Sequence, residues 1–147
     1  MTRELHIVGV RVGAETFGLP ITAVQEILRP LPLTPVPGAP AHVEGVINLR
    51  GRILPVVDLR KRCGVPAEAG RKNRIVVAVS EGRRVGLMVD AASEVLRIPE
   101  SAVDSPARLF GEQSSGYVTG VAKLSGRLVI LVDVGKLLAA GTAQEAL

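Results

Sequence analysis

The chain has 147 residues, 47% of them hydrophobic and 2% aromatic, with a formal net charge of +4. No apolar run approaches the roughly 18 residues of a membrane span, and Met1-Thr2-Arg3-Glu4 leads into a strand without the apolar core of a signal peptide, so a cytoplasmic protein with no membrane insertion is expected. Single-strand nucleic-acid readers need stacking platforms that so few aromatics cannot supply, and the basic clusters Arg60-Lys61-Arg62 and Arg71-Lys72 read as solvated surface, with one anionic partner as the alternative.

In chain order, Leu5 to Val12 is rich in β-branched residues and short enough for a strand, closed by a turn at Gly13-Ala14. Ile21 to Leu28 carries branched apolar residues that suit an exposed sheet edge, where a partner could add on. The prolines between Pro30 and Pro40 predict an extended connection that cannot enter a sheet interior. Arg50-Gly51 stands between two apolar runs, where glycine supplies the positive φ of a tight hairpin turn. Asp58 is placed to cap a short helix over Leu59-Arg60-Lys61-Arg62 that ends at Gly64. Cys63, the single cysteine, has no disulfide partner within the chain and reads as a buried or half-buried small hydrophobe. Arg74 to Val79 and Val85 to Val89 are strands around a Glu81-Gly82 turn. Ser101 to Gly116 is loose in composition and predicts a surface loop. Ser125-Gly126 repeats the Arg50-Gly51 turn, and Asp133 repeats Asp58, opening a helix over Val134 to Leu138 that ends at Gly141.

These correspondences are an internal duplication. Gly45 to Leu59 returns about 75 positions later as Gly120 to Val134, and the upstream pairs Ile7/Ile75, Gly18/Gly86 and Glu26/Glu94 are offset by about 68, the difference falling in the Ser101 to Gly116 loop. Each copy, about 70 residues, is near the lower limit for a core of its own, so the halves are expected to lean on each other. The fold class is all-β: two small barrels with short helices at the joins. The boundaries are placed at about 13–72 and 73–135, with the N-terminal strand and C-terminal helix able to pack across both.

Positions identical in both copies, Gly45/Gly120, Leu49/Leu124, Gly51/Gly126 and Asp58/Asp133, read as scaffold, whereas Asn48/Lys123, Arg50/Ser125 and Pro55/Ile130 differ and can carry copy-specific function. Arg50 projects a planar cation beside a turn glycine, although an ordinary surface arginine fits equally well there. Asp58 and Asp133 could form a two-carboxylate acid/base pair in a small hydrolase, but both follow apolar strands and precede helices where caps are wanted. His6 and His42 lack a second ligand at metal or nucleophile spacing, and no glycine-rich phosphate loop or Walker sequence occurs, so no catalytic residue, metal or cofactor is assigned. A basic nucleic-acid-binding barrel is the third class considered, disfavoured by the lack of aromatics.

With Val24-Gln25-Glu26-Ile27, Gly45-Val46-Ile47-Asn48-Leu49-Arg50-Gly51, Pro55-Val56-Val57-Asp58-Leu59 and Gly86-Leu87-Met88-Val89-Asp90 in this order, the chain closely resembles the CheW family of bacterial chemotaxis coupling proteins from about Leu5 to Leu138. The resemblance implies two SH3-like five-stranded barrels and a non-enzymatic adaptor that couples the cytoplasmic tips of chemoreceptors to the regulatory domain of the histidine kinase CheA, in arrays at the membrane or in the cytoplasm. It makes Val24, Glu26, Gly45, Asn48 and Arg50 receptor-binding candidates, with Glu26 and Arg50 expected to form an ion pair. It leaves the kinase-contact residues unassigned beyond apolar barrel ends. An adaptor of a chemosensory-like pathway controlling pili, gliding or development is the alternative within the same family. No receiver or kinase segment is seen, and Met1 and the Thr142 to Leu147 tail read as natural ends.

Overall fold

A computed structural model describes residues 3–110 and 116–138. The strands are β1 (Glu4–Val12), β2 (Glu15–Pro20), β3 (Val24–Leu28), β4 (Val43–Leu49), β5 (Arg52–Asp58), β6 (Arg74–Ser80), β7 (Arg83–Val89), β8 (Ala91–Pro99), β9 (Val103–Asp104), β10 (Val118–Leu124) and β11 (Arg127–Val132). The described α-helical segments are α1 (Leu59–Arg62), α2 (Pro106–Phe110) and residues 134–138, the last of the described set. The hairpin turns are those expected: Arg50-Gly51, Glu81-Gly82 and Ser125-Gly126 all carry positive φ at both central residues, the type I′ geometry that matches strand twist.

The strands form two sheets, β3-β6-β7-β5-β4 and β8-β1-β2-β11-β10-β9. Their orders correspond position by position through the duplication, and so do their registers: Ile7 faces Pro20 where Ile75 faces Met88, and Leu131 runs parallel beside Gly18 where Val56 runs beside Gly86. The sheets do not follow the repeat boundary placed near residue 72. The β1–β2 hairpin of the first copy completes the sheet of the second, and the β6–β7 hairpin of the second completes that of the first, so one sheet lies within residues 24–89 and the other joins 4–20 to 91–132. Exchange accounts for how copies too small to close a core stand: neither sheet exists without both.

One further expectation needs correction. The second sheet has six strands, because the segment read as loop from Ser101 contains β9 and α2; residues 111–115 of that loop lie outside the described set, as does Gly141. The proline-rich connection touches a sheet once, at Thr34, whose N–H and carbonyl both pair with Val46 at 2.9 Å on the open side of β4. That single bridge occupies the place of β9 in the other sheet. Thr34 can donate because it lies between Pro32 and Pro35, which cannot.

Packing explains why the strands read as continuous apolar runs rather than alternating ones. Ile47, Leu49, Leu54, Val56, Ile75 and Val77, joined by Leu28 and Met88, fill one rolled sheet with side chains from all five strands. Ile7, Ile98, Ala122, Val129 and Leu131 fill the other. The opposite faces of the same strands, with Val8, Val10, Leu19, Val57, Val76, Leu87 and Val132 among them, meet in a third core between the sheets. Gly18 and Gly86 stand at equivalent places on the parallel seams, where a Cβ would come within 2.5 Å of Ile7 and 2.8 Å of Ile75 respectively.

Candidate functional site

Glu26 and Arg50 are brought together by a bulge and a turn. In β3 the pairing with β6 shifts between Val24 and Glu26, leaving Gln25 as the extra residue. Without the bulge, residues 24 and 26 would share a face. With it, Val24 pairs with Ala78 and packs on the core between the sheets, while Glu26 pairs with Val77 and turns toward the mouth of its own barrel. At the other end of that mouth, the β4–β5 turn holds Arg50 at φ 53, and Asn48 Oδ1 accepts the Gly51 N–H at 2.9 Å, which fixes the turn.

Arg50 then closes over Glu26 as a fork, Nη1 donating to Oε2 at 2.9 Å and Nη2 to Oε1 at 2.8 Å. The ion pair expected from the sequence is therefore present. The fork's hydrogen bonds, with the charge of Arg50 behind them, hold the Glu26 carboxyl below its ordinary value of 4.5 against the opposing effect of burial. Arg84, which bonds Gln25 at 3.3 Å, adds a smaller pull in the same direction.

The five sequence candidates thus divide. Glu26, Asn48 and Arg50 converge on one corner. Gly45 lies farther along β4, also beside a bulge, and its role there is spatial: a Cβ would fall 2.5 Å from the Thr34 carbonyl oxygen, so only glycine lets the proline-rich segment lie against the strand. Val24 is half-buried and contributes packing.

The second barrel repeats the corner with different residues. The bulge recurs in β8, where Ala92 pairs with Val10 and Glu94 with Gly9, and Arg127 Nη2 donates to both Glu94 oxygens at 3.0 and 3.1 Å. Its cation comes from two residues past Ser125, the equivalent of Arg50. The strands of each corner also carry exposed aliphatics, at positions equivalent in the two copies: Ile27 and Val95 on the edge strands, 39% and 63% exposed, and Ile53 and Leu128 after the hairpin tips, 63% and 56% exposed. Ile27 falls in the segment expected to be an exposed edge; sequence reading missed the other three. The signal available was the duplication itself, which keeps a large apolar residue at each of two surface positions.

The Arg60-Lys61-Arg62 cluster was read as solvated surface; Lys61 is exposed as expected, and the structure corrects the reading at Arg60. Arg60 is only 3% exposed. It donates to Asp58 from Nε (3.0 Å) and Nη2 (2.9 Å), and from Nη1 to Asp90 (3.1 Å) and to the Glu68 carbonyl (2.7 Å). Lys61 pairs with Glu44 at 2.6 Å, and Arg62 donates to the Leu137 carbonyl at 3.2 Å. Asp90 also accepts the Gly13 N–H at 2.7 Å, so Arg60 and Asp90 together link the end of β5 to the β1–β2 turn of the other sheet.

Asp58 and Asp133 act as the caps expected, accepting the N–H of Arg60 at 3.0 Å and of Lys136 at 2.8 Å. The remaining oxygen of Asp58 is held by Arg60. Cys63 is half-buried against the central core, and burial raises its thiol above the ordinary 9.0.

The chain matches the family described as "CheW-like domain" over residues 6–141. It is 38% identical to the chemotaxis protein CheW of Rhizobium meliloti (strain 1021) over 130 residues, 88% of this chain and 84% of that one. With the chemotaxis protein CheW of Thermotoga maritima it shares 34% identity over 145 residues, covering 97% of this chain and 93% of its relative. The crystal structure of the scaffolding protein TtCheW from Thermoanaerobacter tengcongensis superposes with a TM-score of 0.80 at 33% identity, covering 91% of this chain and 90% of that one. On sequence and fold together, the chain belongs to the CheW family of chemotaxis coupling adaptors.

Proposed function

We propose that this chain works without catalysis, in the cytoplasm, by holding a chemoreceptor tip and the regulatory domain of the kinase CheA at the same time, and so is recruited to receptor arrays. The observation that carries the reading is the doubled corner: on each barrel an arginine from the hairpin pairs with a glutamate of the edge strand, with an exposed aliphatic on the edge strand and another past the hairpin tip. Exposed aliphatics around a fixed charge are what a partner can cover with apolar contact while the charge sets orientation.

The receptor-facing assignment is the Glu26, Asn48 and Arg50 corner, with Gly45 and Val24 supporting the strands that present it. Arg50 is the anchor, because its turn and fork hold a planar cation in place before binding. For the kinase, Ile53 and Leu128 are the candidate contacts, since they project beside the two hairpin tips, at the ends of the barrels. A barrel-built partner would then meet the same chemistry at either end. No helix among the described residues is long and apolar enough to cross a membrane, so attachment to a receptor at the membrane would come through the partner.

The test is a calorimetric titration of the full chain against the regulatory domain of its CheA and, separately, against a receptor-tip fragment. Micromolar or tighter binding to both is expected. Leu128→Glu is expected to weaken the kinase complex by about tenfold or more with the receptor fragment little affected, and Arg50→Ala to do the reverse. Binding to neither partner refutes the adaptor reading. Equal losses in both complexes refute only the division of surfaces.

A further inference from the structure

The two barrel mouths differ in one respect that the adaptor role does not use. Val77 is buried inside the first barrel and Val79 follows it on the same face; the equivalent residues of the second barrel are Gly9 and Arg11. Where the first mouth is filled by aliphatic side chains, the second opens into a cleft of about 760 Å³, lined by Gly9, Arg11, Lys72, Arg74, Asp90, Glu94 and Arg127 among others.

The charges in this cleft do not cancel. Asp90 is taken up by Arg60 and by the Gly13 N–H, and Glu94 by Arg127, which uses one nitrogen and leaves Nε and Nη1 uncommitted among the described contacts. Arg74 donates only to the carbonyls of Arg71 and Asn73, and neither Arg11 nor Lys72 has a carboxylate partner among the described residues. Three cations without counter-charges are thus gathered on one concave surface from both sheets, where like charges repel and the field is concentrated.

The geometry points to a binding site for a small phosphate-bearing molecule. Guanidinium groups match phosphate oxygens with paired donors, and the lysine adds a point charge. A volume in the range of ordinary ligand pockets suits a compact polyanion rather than a single ion. A phosphate there would bridge Arg11 and Arg127 of one sheet to Lys72 and Arg74 beside the other.

Sodium tripolyphosphate is the probe, titrated into the full chain at low salt. Saturable one-to-one binding is expected, weakened by about tenfold or more in the double variant Arg11→Ala/Lys72→Ala. The control, Arg83→Ala/Arg97→Ala, removes the same charge from exposed positions outside the cleft and is expected to change affinity less than about threefold. In the unmodified chain, amide chemical shifts should move at Gly9, Gly13 and Arg127. No saturable binding, equal losses in both double variants, or shifts scattered away from the cleft would overturn the proposal. Tighter cleft-dependent binding of an oligoglutamate peptide or of phosphatidylglycerol vesicles would overturn it too, in favour of an acidic protein segment or a lipid surface.

Discussion

Arg60→Ala removes four side-chain hydrogen bonds, from Nε and Nη2 to Asp58 and from Nη1 to Asp90 and the Glu68 carbonyl. The main cost comes from what is left behind. Asp58 is 4% exposed, and without the guanidinium its charge keeps only the N–H of residue 60. Breaking a buried pair on one side costs about 3–5 kcal/mol, most of it from the stranded charge. Asp90, more exposed, adds little because water can replace its partner. At an unfolding entropy of about 2.1 cal/mol/K per residue, a loss of about 4 kcal/mol lowers Tm by roughly 13 °C for a chain of this length. Thermal unfolding followed by circular dichroism measures it. The double variant Asp58→Asn/Arg60→Met separates the causes, since asparagine keeps the cap while no charge is stranded, and it should recover more than half of the loss. A shift below about 3 °C in the single variant, or a double variant no more stable than the single, would refute the argument.

Two glycines of β4 and its turn should respond differently to the same change. Gly45→Ala drives a Cβ against the Thr34 carbonyl and should cost about 2 kcal/mol or more, whereas Gly51→Ala meets no atom within 4 Å and carries only the strain of φ +85, about 1 kcal/mol; urea midpoints compare them. The fork at Glu26 gives an acid limb with a defined sign. Its carboxyl lies lower in the fold than its ordinary 4.5, so its contribution is fully present above pH 4.5 and is lost as pH falls through the depressed value; Glu26→Gln should remove this limb from the stability-versus-pH curve. Cys63, with its thiol raised by burial, should react with iodoacetamide at pH 8 several-fold more slowly than free cysteine and reach the free rate in urea.

The duplication made much of this legible. Paired turns, caps and glycines at constant offset predicted which segments are equivalent, and equivalence held down to the registers and the parallel seams. Opposite charges in two motif segments also located the Glu26–Arg50 fork. What could not be read is whatever depends on pairing rather than content. A repeat has the same residues whether or not its hairpin completes its own sheet, so the exchange of β1–β2 and β6–β7 leaves no local trace. The bulges at Gln25 and its counterparts are register properties of the same kind. Arg60 was misread because a run of three cations has no periodicity to mark its first member as buried. Ile53 and Leu128 were hidden in strands whose apolar runs give no sign of which face is left uncovered.

Exchange also bears on why a coupling protein is built this way. If each copy closed its own barrel, the two would be joined by a linker, and the corners they carry could move independently. Here every central strand has one face inside a barrel and the other in the shared core, so displacing one barrel against the other would expose Val8, Val76 and Val132 together. The Arg60–Asp90–Gly13 connection ties the same junction through hydrogen bonds. The two corners are therefore held at a fixed separation and angle, and under the proposed function a partner engaging both would lose less freedom on the second contact than on the first. The two corners are similar enough to meet related surfaces, yet Arg50 with Asn48 on one and Arg127 on the other leave room for partners to differ, because equivalent positions on a rigid frame can change without disturbing what holds the frame together.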